Sequence, residues 1–343
     1  MCKHPLKGFQ IGFHISGKPE YKITSFAADH VEKLSNKWIV CMDSFVSPHA
    51  EKVQREFVEI PCGKCIDCRL QYSREWADRC MLELKYHDPS ECWFLTLTYD
   101  DEHIHDFGHD IFPGSLRLKD LQDFLKRLRD HVYRDFEGKK IRFYACGEYG
   151  SSTYRPHYHL ICYSLPLPDA RFFCMSKGGY PLYTSEYLSS IWQNGFVNFG
   201  RVNWNTCAYT ARYVLKKASG IKPDDYIDQG LVPEFVTMSR KPGIGYKYFE
   251  DNHLKIFEND EIFFCSDDGG RKAKPSKYYK RKFSELYPDL ADKKKEARKE
   301  VAECNKELKL LKTDLNYEEL LEVEECYMSQ KTKILKNRGL SYV

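Results

Sequence analysis

Between residues 92 and 217 the hydrophobic pattern changes period in a set order, and that order narrows the possible folds more than any other feature. Cys92-Trp-Phe-Leu-Thr-Leu-Thr-Tyr99 is β-prone and is stopped by Asp100-Asp101. Over 116–133, Leu118, Leu121, Phe124, Leu125, Leu128 and Val132 recur at helical spacing. Strands follow over 141–147 and 156–163. A helix over 184–192 comes next, with Thr184 or Ser185 as its N-cap. A strand alternates over 196–202, and a helix that Asn203 or Asn205 caps runs on through Lys217. The order β-α-β-β-α-β-α is that of a ferredoxin-like split β-α-β unit with one extra helix, so the expected class is α+β, an RRM-like antiparallel sheet with flanking helices.

Three segments are expected. Residues 1–90 form an N-terminal extension in which short β-prone stretches such as Lys37-Trp-Ile-Val-Cys41 mix with turn-formers, followed by a partly buried helix over 70–86. Residues 91–250 form the core, and 251–343 a basic and helical C-terminal region. In that last region Leu308, Leu311, Leu315, Leu320 and Leu321 make a broken apolar stripe, as on helices that dock on the body or on another chain. A hydrophobic content of 42% and an aromatic content of 15% exclude general disorder. The net charge of +3 does not by itself imply nucleic acid. Distribution does more: Arg240 and Lys241 in a turn-rich loop, Arg271, Lys272, Lys274, Lys277, Lys280, Arg281 and Lys282 bias the later part towards phosphate. No leading apolar segment follows Met1-Cys-Lys-His, and no apolar run reaches membrane-spanning length. A soluble protein of a reducing compartment, with no membrane partner, is the expectation.

Within the core, two histidines flank one residue in His157-Tyr-His159, which puts both on one face of a strand. Glu148 lies nine positions earlier, at the end of the preceding strand, and antiparallel pairing across the loop 148–155 would bring it beside His157. Two imidazoles and a carboxylate suit Mg²⁺ or Mn²⁺ with positions open to phosphate oxygens. The plain alternative is a pair of satisfied strand histidines. Downstream, Tyr209 and Tyr213 share a helix face with Arg212, Lys216 and Lys217 nearby. Such a helix is costly as pure core, whereas a phenol beside a cation and a held phosphate is a usable nucleophile. Separately, Cys62, Cys65 and Cys68 at two-residue intervals offer three soft ligands for a structural Zn²⁺, with Cys2, His4 or Cys80 as a fourth. An unmetallated turn and a redox pair are the alternatives. Most of the other cysteines among the fourteen sit singly in apolar runs, as buried thiols do.

These motifs together resemble the HUH endonucleases, named for histidine–hydrophobic–histidine, and most closely the replication initiators of microviruses of the gokushovirus branch. Phe94-Leu-Thr-Leu-Thr-Tyr99 is similar to the first motif, Gly147-Glu148-Tyr-Gly150 with Arg155-Pro-His157-Tyr-His159-Leu to the second, and Tyr209-x-x-x-Tyr213-x-x-Lys216-Lys217 to the third. The run from Cys62 to Cys68 and Ser239-Arg-Lys-Pro-Gly-Ile-Gly245 also look like that branch. The resemblance covers residues 61 to about 250 and leaves the tail beyond about 283 unaccounted for.

The resemblance implies a rolling-circle initiator acting in the bacterial cytoplasm of a host. One tyrosine would nick single-stranded DNA at the viral origin, keep the 5′ phosphate, and leave a 3′ hydroxyl for a host DNA polymerase, with a host helicase as a further partner. The second tyrosine would cut again when the circle is complete. Catalysis would rest on Tyr209 and Tyr213 with Lys216 or Lys217 assisting, metal binding on Glu148, His157 and His159, and DNA contact on Arg155, Arg212, Arg240 and Lys241. A non-catalytic single-stranded DNA-binding protein and an HUH transposase or relaxase are the rival readings.

Overall fold

The computed structural model describes residues 2–105, 113–150, 153–176, 178–212, 230–266 and 269–337; of Arg212, Cys265, Ser266 and 333–337 only the backbone. The chain divides into two compact units, one of residues 1–70 with 312–334, the other of 71–311 with the terminal residues.

The smaller unit is built on two three-stranded antiparallel sheets. Its strands are β1 (Leu6–Phe13), β2 (Pro19–Thr24), β3 (His30–Leu34), β4 (Lys37–Cys41), β5 (Lys52–Gln54) and β6 (Phe57–Ile60), in the orders β2-β1-β6 and β4-β3-β5. Among the described residues, Phe9, Ala28 and Val31 form its fully buried apolar cluster, with Ile11, Trp38 and Val40 packed against them. Helix α1 (Ile66–Leu84) begins in this unit and continues into the larger one.

The larger unit is organised around a seven-stranded antiparallel sheet. In chain order it contains β7 (Trp93–Tyr99), α2 (Leu118–Asp135), β8 (Arg142–Tyr149), β9 (Pro156–Tyr163), β10 (Arg171–Met175), β11 (Pro181–Thr184), α3 (Glu186–Trp192), β12 (Gly195–Arg201), α4 (Trp204–Arg212) and β13 (Phe235–Met238). The strand order is β10-β11-β12-β7-β9-β8-β13. Strands β7 and β9 are buried on both faces, because helices cover both sides of the sheet. One face carries Leu95, Leu97, Tyr158, Leu160 and Cys162, against which α2 lays Leu121, Phe124, Leu125, Leu128 and Val132 and α3 lays Leu188, Ile191 and Trp192. The opposite face carries Phe94, Tyr144, Ile161 and Tyr163, covered by Ala77 and Cys80 of α1 and by Cys207, Ala208 and Ala211 of α4.

Tyr158 fixes which way its neighbouring histidines point. Its ring is fully buried on the α2 side, where its hydroxyl accepts from the Arg117 amide at 3.0 Å and donates to the Arg117 carbonyl at 2.8 Å. A one-residue slip of β9 would expel that ring and exchange the two faces. His157 and His159 therefore face the α1 and α4 side.

Two helix starts settle the alternatives left by the sequence. Ser185 caps α3, accepting from the Leu188 amide at 3.1 Å. Asn203 caps α4: its Oδ1 accepts from the Thr206 amide at 2.9 Å while the Thr206 hydroxyl accepts from the Asn203 amide at 3.0 Å.

Beyond the sheet, α5 (Tyr246–Asn259), the hairpin of β14 (Ile262–Ser266) and β15 (Gly269–Ala273), α6 (Lys277–Leu286) and α7 (Pro288–Leu310) follow, and α8 (Tyr317–Asn337) returns to the smaller unit. Phe249, Ile256, Phe257, Tyr279 and Phe283 gather with Leu82 into a third cluster, in which Phe257 and Phe283 stack at 3.9 Å between ring centroids. Among the described residues no helix is long and apolar enough to cross a membrane.

Candidate functional site

Antiparallel register sets the site. Glu148 on β8 is directly opposite His157 on β9, which is opposite Thr98 on β7, which is opposite Phe196 on β12. The next row on the same face is Cys146, His159, Thr96 and Asn198. Residues opposite one another share a face, so each row crosses four strands on the α4 side of the sheet.

The two imidazoles converge on one oxygen. Glu148 Oε1 lies 2.6 Å from His157 Nε2 and 3.1 Å from His159 Nε2. The other ring nitrogens are held from behind: His157 Nδ1 faces the Arg155 carbonyl at 3.0 Å, and His159 Nδ1 the Thr96 hydroxyl at 3.0 Å. A carbonyl only accepts, so His157 Nδ1 carries the proton and the neutral ring turns a bare Nε2 towards the carboxylate. Lone pairs facing lone pairs at that separation call for a positive charge, either on the rings or between the three groups. The ligand atoms of Glu148, His157 and His159 all lie within 4.8 Å of one another, and two imidazole nitrogens with one carboxylate are a donor set that fits a divalent ion.

Burial by itself would raise the Glu148 carboxyl, which is 1% exposed; the charge of His157 and the hydrogen bonds from both histidines outweigh it and hold the group at about 2. Glu148 is thus ionised across the physiological range.

Helix α4 brings a phenol to this oxygen. The small side chains of Cys207, Ala208 and Ala211 let α4 lie close on β8 and β9. The Ser73 hydroxyl of α1 fastens it by donating to the Ala208 carbonyl at 3.0 Å. One residue on, the Tyr209 hydroxyl donates to Glu148 Oε1 at 3.3 Å. The Tyr209 ring stands edge-on to His159 at 5.1 Å, and Phe94 stacks on the other side of that imidazole at 5.1 Å. His159 is therefore clamped between two aromatic rings.

The relatives can now be set beside this geometry. The chain is 38% identical to the replication-associated protein ORF2 of Spiroplasma virus 4 over 246 residues, 71% of this chain and 74% of that protein. It is 32% identical to the replication-associated protein VP4 of the Bdellovibrio phage phiMH2K, over 74% of this chain and 78% of that one. The model of the replication-associated protein ORF2 family matches residues 92–218. The chain belongs to this family.

The replication-associated protein ORF4 of Chlamydia phage 1 is a further relative, 30% identical over 53% of this chain and 44% of that protein. No solved structure matches the chain. The family match runs from the start of β7 past the end of α4 and so takes in Glu148, His157, His159 and Tyr209.

Of the residues expected to act, these four are brought together. Tyr213, Lys216 and Lys217 lie outside the described residues, as does the side chain of Arg212. Arg155 is turned to the end of β7, donating from Nε to the Tyr99 carbonyl at 3.0 Å and pairing with Asp101. Arg240 and Lys241 are exposed in the turn before α5. Thr96 and Phe196 were not singled out by motif reasoning. Each sits one period-two step from its neighbours in an alternating strand, and only the register joins them to the histidines.

Proposed function

We propose that this replication-associated protein is an HUH nuclease that nicks and rejoins single-stranded DNA at a replication origin through a phosphotyrosine link. The observation that carries this reading is the Tyr209 hydroxyl lying on the same carboxylate oxygen that His157 and His159 share. The strand order β12-β7-β9-β8, with α2 and α3 on one face, supports a ferredoxin-like nuclease core beneath that site.

Glu148, His157 and His159 would hold the divalent ion, Mg²⁺ or Mn²⁺, which when bound supplies Lewis-acid polarisation of a phosphate oxygen. The chain's own groups do the rest. The Arg155 carbonyl and the Thr96 hydroxyl hold the imidazoles in one tautomer and orientation. The phenol oxygen of a tyrosine bonds to phosphorus and gives up its proton, the bond from phosphorus to the 3′ oxygen breaks, and that oxygen takes a proton to leave as a hydroxyl. One phosphoester replaces another, so the tyrosyl link keeps the energy needed for rejoining and no nucleotide cofactor is consumed. The free 3′ hydroxyl suits extension by a host polymerase, with a host helicase exposing the template. Lys216 or Lys217 would stabilise the phenolate, and Arg155, Arg212, Arg240 and Lys241 are the cations proposed to meet the DNA backbone.

Phe196 extends the site sideways. It is 69% exposed on the face that carries the histidines, two strands from His157 and so about 10 Å away across the sheet. A bare aromatic ring there suits a base next to the scissile phosphate. Phe196→Ala is expected to weaken single-stranded DNA binding by about 1–3 kcal/mol, measured by fluorescence anisotropy, with the fold unaltered. Unchanged affinity would remove the ring from the DNA track.

Thr96→Val keeps shape and loses the hydroxyl behind His159. The expected result is about a 10–100-fold loss in metal affinity or nicking rate, read from a Mn²⁺ titration of activity. A wild-type titration curve would show that the hydroxyl does not orient the ring. The reading as a whole is tested by incubating the protein with an end-labelled origin oligonucleotide and Mn²⁺. Cleavage that chelation abolishes supports it, and binding without cleavage would leave a non-catalytic DNA-binding protein.

A further inference from the structure

A second cluster, in the smaller unit, is independent of the nuclease reading. Cys2, Cys62, Cys65 and Cys68 all fall in residues 1–70, and none is in a disulfide. Their sulfurs lie within 4.8 Å of one another, and those of Cys2 and Cys65 are 3.9 Å apart. A disulfide would need about 2.05 Å. A zinc ion with four sulfurs at about 2.3 Å sets them about 3.8 Å apart along the edges of a tetrahedron. A four-iron cluster would spread its ligands wider than this set allows.

The chain around the cysteines is shaped for thiolates. Gly63 takes φ +72°, a left-handed turn that a side chain would strain, and this turn folds the following amides back onto Cys62. The amides of Lys64 and Cys65 donate to Cys62 Sγ at 3.4 and 3.3 Å, the Cys62 amide donates to Cys2 Sγ at 3.2 Å, and the Lys3 amide donates to Cys65 Sγ at 3.4 Å. The sulfurs of Cys2, Cys62 and Cys65 thus receive backbone N–H groups, which offset the charge the ligands acquire when they lose their protons. Four protein ligands close the coordination shell, as in structural rather than catalytic sites.

The unit also has little else to hold it together. Its fully buried apolar cluster is three residues, while Phe13, Ile15, Ile23 and Phe45 are exposed. Small scaffolds with so little core commonly depend on a metal or disulfide staple. We propose that Cys2, Cys62, Cys65 and Cys68 hold one structural zinc ion that ties the start of the chain to the entry of α1. Of the other two candidate ligands, His4 pairs with Glu325 at 2.7 Å and Cys80 is buried in the apolar cluster of the larger unit.

Metal analysis of the full chain, expressed in zinc-supplemented medium and purified without chelator, tests this directly. One zinc per chain is expected in the wild type, in Cys80→Ser, and in the double variant His157→Ala with His159→Ala, which separates this ion from the nuclease site. Cys2→Ser and Cys68→Ser are expected to lose more than about nine-tenths of it, judged against the closed four-ligand rule. A folded, zinc-free wild type, iron in place of zinc, or loss of zinc in the histidine variant would overturn the assignment. Should the cysteine variants fail to fold, Co²⁺ exchanged into the wild type decides: four-thiolate charge-transfer and tetrahedral ligand-field bands are expected, and their absence contradicts the site. Retained zinc with abolished nicking, or the reverse, keeps this proposal distinct from the nuclease one.

Discussion

Replacing Tyr209 and Tyr213 together with phenylalanine is expected to eliminate the covalent protein–DNA adduct and to lower nicking by about a thousandfold or more, as removal of a nucleophile does elsewhere. The substitution keeps ring volume, so the fold should be little disturbed. At Tyr209 this is concrete: the ring packs edge-on against His159 and Phe94, and only its hydroxyl reaches Glu148. Each single change should leave an adduct through the other tyrosine while impairing the complete cycle of cutting and rejoining. Adduct yield on denaturing gels, with circular dichroism as the folding control, checks all three proteins. A double variant that still links to DNA would place the nucleophile elsewhere.

Removing both imidazoles has an effect of similar size. His157→Ala with His159→Ala is expected to abolish Mn²⁺-dependent nicking, because loss of the ion forfeits several kcal/mol of charge stabilisation at the phosphate. The same change leaves Glu148 in the interior without its two imidazole partners, so some loss of stability should accompany it. Thermal melts therefore belong beside the activity assay, and nicking should be measured well below the variant's melting temperature. Full activity in a folded double variant would remove the metal assignment and leave the histidines as structural partners of Glu148.

Most of the larger unit's central sheet is legible in the sequence, because each element there buries a face whose period the residues display. β7 alternates Leu95 and Leu97 against Thr96 and Thr98, and α2 repeats its apolar residues at helical spacing. The triad is legible for the same reason: period two fixes the shared face of His157 and His159, and a short loop fixes their nearness to Glu148. Elements with little buried surface are not. The hairpin of β10 and β11 exposes Phe172 and Phe173, which reads as no pattern, and β13 is four half-buried residues at the sheet edge. The six short strands of the smaller unit bury too few side chains to mark their register. Long-range pairings are hidden as well. That Cys2 joins cysteines some sixty residues on, and that Phe196 shares a row with His157, follow only from three-dimensional register.

The most direct measurement is the chemical identity of the linked residue. The protein is incubated with an origin-derived single-stranded oligonucleotide and Mn²⁺, digested with protease, and the peptide–oligonucleotide conjugate is sequenced by mass spectrometry. The expected conjugate carries a 5′ phosphate esterified to Tyr209 or Tyr213, and it forms only with the divalent ion present. A conjugate on any other residue, or cleavage that proceeds with no conjugate at all, would contradict a tyrosine-linked nuclease.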